Sequence, residues 1–184
     1  MYSFIVFLGL ICVVLAIASL NYENKSRKKL VREAFNMAAI GVYDSCGVNK
    51  KIENFYPIRS VRYTCGRRPK FSRIKADITS PIQDDALSKD AAVFYIDDGL
   101  FCIKRRKQSI IWIKTINNEL YLLRDKDKVT DIEIPRCFRP IGNQELSYTE
   151  MDEGCMSLLF GDKIFMGNTL FEYNSSEALN ERTK

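Results

Sequence analysis

Residues 91–103 read AAVFYIDDGLFCI, and this stretch sets the pattern for most of the chain. An apolar run at 91–96 is followed by turn formers at 97–99, and the apolar run resumes at 100–103. Two apolar runs joined by a short turn that contains Asp and Gly predict an antiparallel β-hairpin. The stretch therefore predicts a domain built from paired strands.

The same alternation of apolar runs and turn formers continues on both sides of this hairpin. Further strands are predicted at residues 55–64, 109–115, 119–124, 129–134, 156–160, 163–166 and 169–173. Asn117 and Asn118 form a second hairpin signal, and Gly-Asp and Gly-Asn pairs separate the last three strands. We therefore predict a mainly antiparallel β domain over residues 46–175, followed by a flexible polar tail at 176–184.

The first twenty residues carry no charge. As a helix with a rise of 1.5 Å per residue, residues 2–20 would span roughly 28 Å, which is close to the hydrocarbon thickness of a bilayer. The segment predicts a transmembrane anchor at residues 1–21. A cleaved secretory signal ending near Ala16-Ile17-Ala18 is an alternative, although no basic residue precedes its apolar core. A buried core helix is a third interpretation.

The segment that follows has helical periodicity. Val31, Phe35, Ala38 and Val42 recur with helical spacing and form one apolar stripe. We predict a membrane-proximal amphipathic helix over residues 22–45. The predicted fold class is α+β, with an N-terminal transmembrane helix extended into a helical stalk and a mainly antiparallel β domain behind it.

Positive charge is concentrated near the predicted anchor. The formal net charge of the chain is +5, but residues 21–75 hold fourteen Lys and Arg against four Asp and Glu. Such a stretch is attracted to anionic headgroups or to an acidic partner. A solvated strand face and loop is the alternative, and nucleic acid is disfavoured because no stacking aromatic motif accompanies the charge. The residues predicted to contact lipid or partner are Lys25, Arg27, Lys28, Lys29, Arg32, Arg59, Arg62, Arg67 and Arg68.

No catalytic apparatus is evident. The chain has no histidine, and it has no Gly-rich phosphate loop, no G-x-S-x-G motif and no calcium-loop spacing. The carboxylate pairs at 84–85, 97–98 and 152–153 lie at turn signals, and we interpret them as turn residues. We predict a protein that is not an enzyme, with no cofactor, no metal and no small-molecule substrate.

Five cysteines lie beyond the anchor, and none forms a C-x-x-C pair. The disulfide candidates are Cys46, Cys65, Cys102, Cys137 and Cys155, and at least one must stay outside an intrachain pair. We favour Cys46–Cys65, which would close a loop worth about 3 kcal/mol. Small buried thiols in a reduced domain are the alternative. Basic residues behind the anchor favour a cytosolic domain, whereas disulfides favour an oxidising compartment.

The uncharged span and the basic residues directly behind it resemble the inner-nuclear-membrane sorting signal of baculovirus occlusion-derived envelope proteins. These basic residues are Lys25, Arg27, Lys28, Lys29 and Arg32. With the single anchor, the dispersed cysteines and the stretch at 60–65, the layout resembles the small anchored members of the per os infectivity factor family. The fourth factor fits best and the third factor second.

This resemblance implies a virion envelope protein that is single-pass in the membrane and occupies host nuclear and endoplasmic membranes during assembly. It implies a non-enzymatic subunit of an oral-entry complex that binds other envelope proteins and mediates host cell entry. The thiol oxidase of such viruses would reconcile disulfides with the basic flank. The alternative is a minor pilin or pseudopilin of a bacterial secretion machine, and a membrane-anchored enzyme is a third interpretation.

Overall fold

The structure is a computed structural model of the chain. It describes residues 11–23, 25–26, 29, 35–43, 51–67, 76–80, 84–106, 109–125, 132–139, 147–151 and 154–183.

Twelve strands are found in the described part of the chain. They are β1 (Ala38–Tyr43), β2 (Ile52–Pro57), β3 (Arg62–Gly66), β4 (Ile78–Thr79), β5 (Ala92–Asp97), β6 (Leu100–Arg105), β7 (Ile111–Lys114), β8 (Leu120–Leu123), β9 (Thr149–Met151), β10 (Cys155–Ser157), β11 (Lys163–Met166) and β12 (Thr169–Ser175). Helix α1 covers residues 11–23, helix α2 covers Ser176–Glu181, and a 3₁₀ turn lies at Arg136–Phe138.

The strands form two mainly antiparallel sheets. The seven-stranded sheet has the order β2-β1-β12-β11-β7-β8-β9, and the five-stranded sheet has the order β10-β6-β5-β3-β4. Only the pairs β3–β4 and β8–β9 are parallel among the pairings of these described strands. The mainly β architecture predicted from the sequence is confirmed.

The sheets pack face to face as a sandwich. Inward side chains of both sheets, among them Ile40, Phe171, Phe94 and Ile103, form one buried cluster. The ring of Phe101 from the five-stranded sheet stacks 4.6 Å from the ring of Tyr173 on the seven-stranded sheet. Burial of these apolar faces is the main stabilising term of such a fold.

The outer face of the seven-stranded sheet is also covered. Trp112, Leu122 and Leu170 lie there in a second buried cluster with Phe138 of the 3₁₀ turn and Leu179 of helix α2. Because this sheet is buried on both faces, its central strands are apolar at almost every position, as the six buried residues of β1 illustrate.

The 91–103 hairpin forms as predicted. β5 pairs with β6 so that Asp97 lies opposite Leu100, and Asp98 and Gly99 form the two-residue turn with φ of 44° and 77°. Positive φ at both turn positions matches the right-handed twist of the strands, which explains the Asp-Gly pair.

The predicted helical stalk at 22–45 is wrong over its last part. Residues 38–43 form strand β1, an interior strand of the seven-stranded sheet that pairs with β12 on one side and with β2 on the other. Every residue of β1 is apolar, so the helical spacing of Ala38 and Val42 within it could not distinguish a helix from a buried strand. The predicted strand at 55–64 is also corrected, because it divides into β2 and β3 in different sheets.

The two chain ends bear on the predicted anchor and the predicted tail. Among the described residues, no helix combines the length and the apolar character that crossing a bilayer requires. The transmembrane span predicted at residues 1–21 is therefore not found: residues 11–21 belong to α1, and residues 1–10 lie outside the described residues. The tail predicted as flexible at 176–184 contains α2, which Ser175 caps by accepting a hydrogen bond from the Ala178 N–H.

Candidate binding cleft

One end of the sandwich holds an open cleft of about 1120 Å³. We call it the cleft end; β3 and β6 finish there, β7 begins there, and β11 turns into β12. The lining combines two cations, four carboxylates, small polar residues and apolar side chains. Its charged members are Arg67, Lys89, Asp85, Asp90, Asp125 and Glu133, and its apolar members include Leu87, Ile110, Trp112, Ile132, Pro135, Phe165 and Met166.

Gly66 lets the 84–90 loop pack directly on the end of β3. A Cβ atom at Gly66 would lie 2.1 Å from the carbonyl oxygen of Lys89 and 2.5 Å from its carbonyl carbon. Two backbone hydrogen bonds stabilise this close approach. The Arg67 N–H donates to Ser88 O at 2.9 Å, and the Ala91 N–H donates to Cys65 O at 2.9 Å. The loop and Arg67 are therefore fixed side by side.

Asp84 anchors the other side of this loop. Its buried carboxylate accepts hydrogen bonds from the backbone N–H groups of Ala86 and Leu87 at 3.1 and 3.2 Å. It also accepts from the N–H of Asn168 in the β11–β12 turn at 2.7 Å and from the hydroxyl of Thr169, the first residue of β12, at 2.8 Å. The carboxylate thus joins the 84–90 loop to the other sheet, and this loop carries Ser88 and Lys89.

Arg67 presents its guanidinium to the cleft. The side chain is 27% exposed and pairs with Asp85 at 2.9 Å, whose side chain is 74% exposed. An ion pair with so exposed a partner contributes only about 0–1 kcal/mol, because water competes with it. A ligand with a stronger negative charge can therefore take the place of Asp85 at Arg67.

The β6–β7 connection supplies a hydroxyl group to the same cleft. The Ser109 N–H donates to Arg106 O at 3.2 Å, and the Arg106 N–H donates to Ala91 O at 2.9 Å. The Ser109 hydroxyl oxygen is shielded from solvent and has no hydrogen-bond partner among the described residues. A shielded hydroxyl costs stability until an acceptor arrives, so it favours a ligand that brings one.

The part of the cleft around Arg67 offers donors to an anion, although the whole lining holds four carboxylates against two cations. A guanidinium, an ammonium group and an unpartnered hydroxyl line one cleft whose loops are held by backbone bonds. No group of three or more Cys, Asp or Glu side chains in the described residues could hold a metal ion. The prediction that the protein takes no cofactor remains a prediction.

The structure disperses the predicted basic residues. Of the described ones, Arg67 lines the cleft, Arg59 and Arg62 are exposed near the other end of β3, and Lys25 and Lys29 lie in the N-terminal helical segment. Those outside the described residues are Arg27, Lys28, Arg32 and Arg68. Arg67 and the pair Arg59 and Arg62 lie at different ends of β3, and the joint role of the whole set as contact residues stays a prediction.

The disulfide prediction is wrong. No disulfide joins the described cysteines Cys12, Cys65, Cys102, Cys137 and Cys155. Cys65 is a free, fully buried thiol of the sandwich core, and burial raises its pKa. The favoured Cys46–Cys65 pair is therefore not formed, and Cys46 itself lies outside the described residues. The reduced-domain alternative fits Cys65, a small apolar residue opposite Ala92.

Sequence reasoning missed Ser88, Lys89 and Ser109, and it treated Asp84 as an ordinary turn residue. The available signal was Gly66 beside Arg67, because a glycine at the end of a predicted strand marks close backbone approach. The partner of that approach is more than twenty residues away along the chain, so spacing alone did not identify it.

No family model and no curated protein matches this chain. Similar solved structures include the FhaA FHA (forkhead-associated) domain complexed with the intracellular domain of Rv3910, at 12% identity and TM-score 0.42, covering 74% of this chain and 99% of that one. The FHA domain of CT664 from Chlamydia trachomatis has 17% identity and TM-score 0.43, covering 75% and 96%. Full-length yeast Pml1p has 14% identity and TM-score 0.46, covering 76% and 81%.

These comparisons correct the resemblance stated from the sequence. Several of the similar structures are FHA domains, and this finding overturns the per os infectivity factor assignment, the virion entry role, the envelope and membrane partners and the pilin alternative. At these identities and TM-scores, the likeness assigns no residue of this chain a role.

Proposed function

We propose that this domain is a non-catalytic interaction module that binds a phosphorylated segment of a partner protein in the cleft. One observation carries the proposal: Arg67, Lys89 and the unpartnered Ser109 hydroxyl line the same cleft, and Gly66 lets the loop that carries Lys89 pack beside Arg67. No step in this function requires a general base or a cofactor, which is consistent with a chain that has no histidine.

Phosphate is the ligand that best uses these groups. A phosphate monoester carries about −1.5 to −2 charges near pH 7 and three acceptor oxygens. It can receive parallel hydrogen bonds from a guanidinium and a further bond from a hydroxyl such as that of Ser109. The exposed carboxylate of Asp85 already contacts Arg67, and a more highly charged phosphate would displace it.

Two of the similar structures guide the choice of ligand to test. One comes from an analysis of phosphothreonine-dependent FHA domain interactions, and another is Mycobacterium tuberculosis EmbR in complex with a low-affinity phosphopeptide. Their TM-scores are 0.40 and 0.42, so they suggest a probe and carry no argument about this chain.

The test is fluorescence anisotropy of the full chain with a degenerate peptide library centred on phosphothreonine, beside the same library with threonine. We expect the phosphorylated library to bind at least tenfold more tightly. Arg67→Ala removes a charged hydrogen-bond donor and should weaken binding by roughly 10- to 100-fold. Asp85→Ala removes the competing carboxylate and should leave binding unchanged or tighter.

Arg62→Ala is the matched control, since Arg62 is an exposed arginine at the opposite end of the same strand. It should bind like the unchanged chain. Equal binding of the two libraries, or an Arg67→Ala variant that binds as tightly as the Arg62→Ala control, would refute the proposal.

A further inference from the structure

The charges of the cleft are divided between two walls. Arg67 and Lys89 lie on the wall formed by the end of β3 and the 84–90 loop. Asp125 follows β8, and Glu133 belongs to the 132–139 segment on the other side of the seven-stranded sheet. Both cations of the cleft therefore lie on one wall, beside Asp85 and Asp90 of the same loop, whereas the charged residues of the opposite wall are carboxylates only.

Sheet order sets the separation of these walls. In the seven-stranded sheet, β12, β11, β7 and β8 are successive neighbours. Asp84 binds the turn between β12 and β11, and Asp125 follows β8. Two strand spacings, from β11 to β7 and from β7 to β8, are therefore the least distance between them. At roughly 4.8 Å per spacing this is about 10 Å or more. An extended peptide advances about 3.3 Å per residue, so three to five residues bridge the two walls.

The floor between the walls is apolar. Ile110 and Phe165 are half-buried there, and Trp112, which lies opposite Phe165 on the neighbouring strand, is buried. An apolar floor offers no competing hydrogen bonds to a side chain that crosses it, and it lowers the local dielectric that screens the charges at each end.

The negative wall is held in place by the fold. Phe138 is buried and packs edge-on at 6.2 Å from Phe165, and Pro135 is buried beside it. The guanidinium of Arg139 donates to Ile134 O at 2.9 Å and pairs with Glu133 at 3.0 Å. The Glu133 side chain is 89% exposed, so this pair is weak and the carboxylate can accept another cation.

We infer that the partner segment carries a lysine or arginine three to five residues from its phosphorylated residue, and that Asp125 and Glu133 select this basic residue. The inference rests on the proposed function, because the phosphate fixes the position from which the distance is counted. Charge complementarity decides the occupant: a basic side chain is attracted to these carboxylates, and an acidic one is repelled.

The experiment is a positional scan of phosphothreonine peptides with the full chain, replacing each flanking position by Lys or by Glu. We expect Lys to bind five- to tenfold more tightly than Glu at one position three to five residues from the phosphothreonine. The Asp125→Asn/Glu133→Gln double variant should lose this preference and keep its dependence on phosphorylation. Glu119→Gln, an exposed carboxylate in the β7–β8 turn at the opposite end, should change neither.

The outcomes separate the two proposals. Dependence on phosphorylation without any Lys-over-Glu preference overturns the inference alone. A preference that survives in the double variant also overturns it. Binding of both libraries without dependence on phosphorylation overturns the proposed function and this inference together.

Discussion

Asp84 at the cleft end and Asp162 at the opposite end are both buried carboxylates that hold loops of the sandwich together. Asp84 is 7% exposed and joins the 84–90 loop to the β11–β12 turn. Asp162 is 1% exposed and accepts from the Ile116 N–H at 2.9 Å and the Leu159 N–H at 2.8 Å. Burial raises the pKa of Asp162 against the lowering effect of these two hydrogen bonds.

The two ends differ in what the fixed loops display. The loop held by Asp84 brings Ser88 and Lys89 beside Arg67. The loops held by Asp162 display Ile116, Leu159 and Phe160, which are 56%, 56% and 48% exposed. The carboxylate is thus a general means of fixing a loop, and the chemistry of an end depends on the residues that its loops carry.

The largest expected effect is that of Gly66→Ala. The added methyl group would meet the Lys89 carbonyl at 2.1 Å, so the 84–90 loop must move away. We expect a loss of about 3 kcal/mol in the free energy of unfolding and loss of phosphopeptide binding. Urea denaturation and anisotropy measure the two effects.

Gly99→Ala is the control for this variant. Gly99 has φ of 77° and no atom within 4 Å of its added Cβ, so the substitution strains the backbone without a clash. It should cost about 1–2 kcal/mol and leave the cleft active. A Gly66→Ala variant that still binds would show that the loop does not need this close approach.

Asp84→Ala and Asp162→Ala compare the two ends directly. Each leaves buried donors without acceptors, and each should lower the free energy of unfolding by about 2–3 kcal/mol. Phosphopeptide affinity should fall only in Asp84→Ala, because only that loop carries cleft residues. Equal loss of phosphopeptide affinity in both variants would mean that a change at the opposite end also disturbs the cleft, and it would contradict the assignment of separate roles to the two ends.

A third buried carboxylate, that of Glu172, binds a tyrosine whose ionisation should lower the stability of the fold at alkaline pH. On the outer face of the seven-stranded sheet, the Tyr43 hydroxyl donates to Glu172, which also accepts from Arg182 at 2.7 Å. Burial first, and then Glu172, raise the pKa of Tyr43 to about 12. The protonated phenol is therefore favoured by folding, and its contribution is complete below pH 10 and lost as the pH rises towards 12.

Thermal unfolding of the unchanged chain and of Tyr43→Phe across pH 9–12 measures this contribution. The free energy of unfolding of the unchanged chain should fall relative to that of Tyr43→Phe by up to about 3 kcal/mol between pH 9 and pH 12. Phosphopeptide affinity at pH 7 should be the same in both. A constant difference would mean that Tyr43 titrates normally.

The smallest expected effect is that of Leu159→Ser. Leu159 is 56% exposed, so the free energy of unfolding should change by no more than about 0.5 kcal/mol. Its backbone N–H still binds Asp162. A loss greater than 1 kcal/mol in the free energy of unfolding, measured by urea denaturation, would mean that Leu159 makes packing contacts that its exposure does not reveal.

Local signals predicted the hairpins well. Asp98-Gly99 and Asn117-Asn118 form turns with positive φ at Asp98, Gly99 and Asn118, where short side chains and glycine are tolerated. The predicted strand at 55–64 failed because it alternates along its whole length, and only the sheet order separates β2 from β3. The stalk failed because β1 is apolar on both faces and carries no period.

The candidate site was only partly predictable. Arg67 was selected among the basic residues, but its neighbours were not, because the contacts that define the cleft join residues far apart in the sequence. The Asp84 to Thr169 bond spans eighty-five positions. Nothing in the pair Asp84-Asp85 distinguished a buried acceptor from an exposed ion-pair partner.

The sequence by itself determined that this chain builds a mainly β domain, since period-two patterns and turn residues act over a few positions. Tertiary structure alone decided which strands share a sheet, which cysteines stay apart and which charges meet in the cleft. Those outcomes depend on the packing of both faces of the seven-stranded sheet and on the approach of Lys89 to Gly66. Such contacts are distant in sequence, and only the folded chain brings them together.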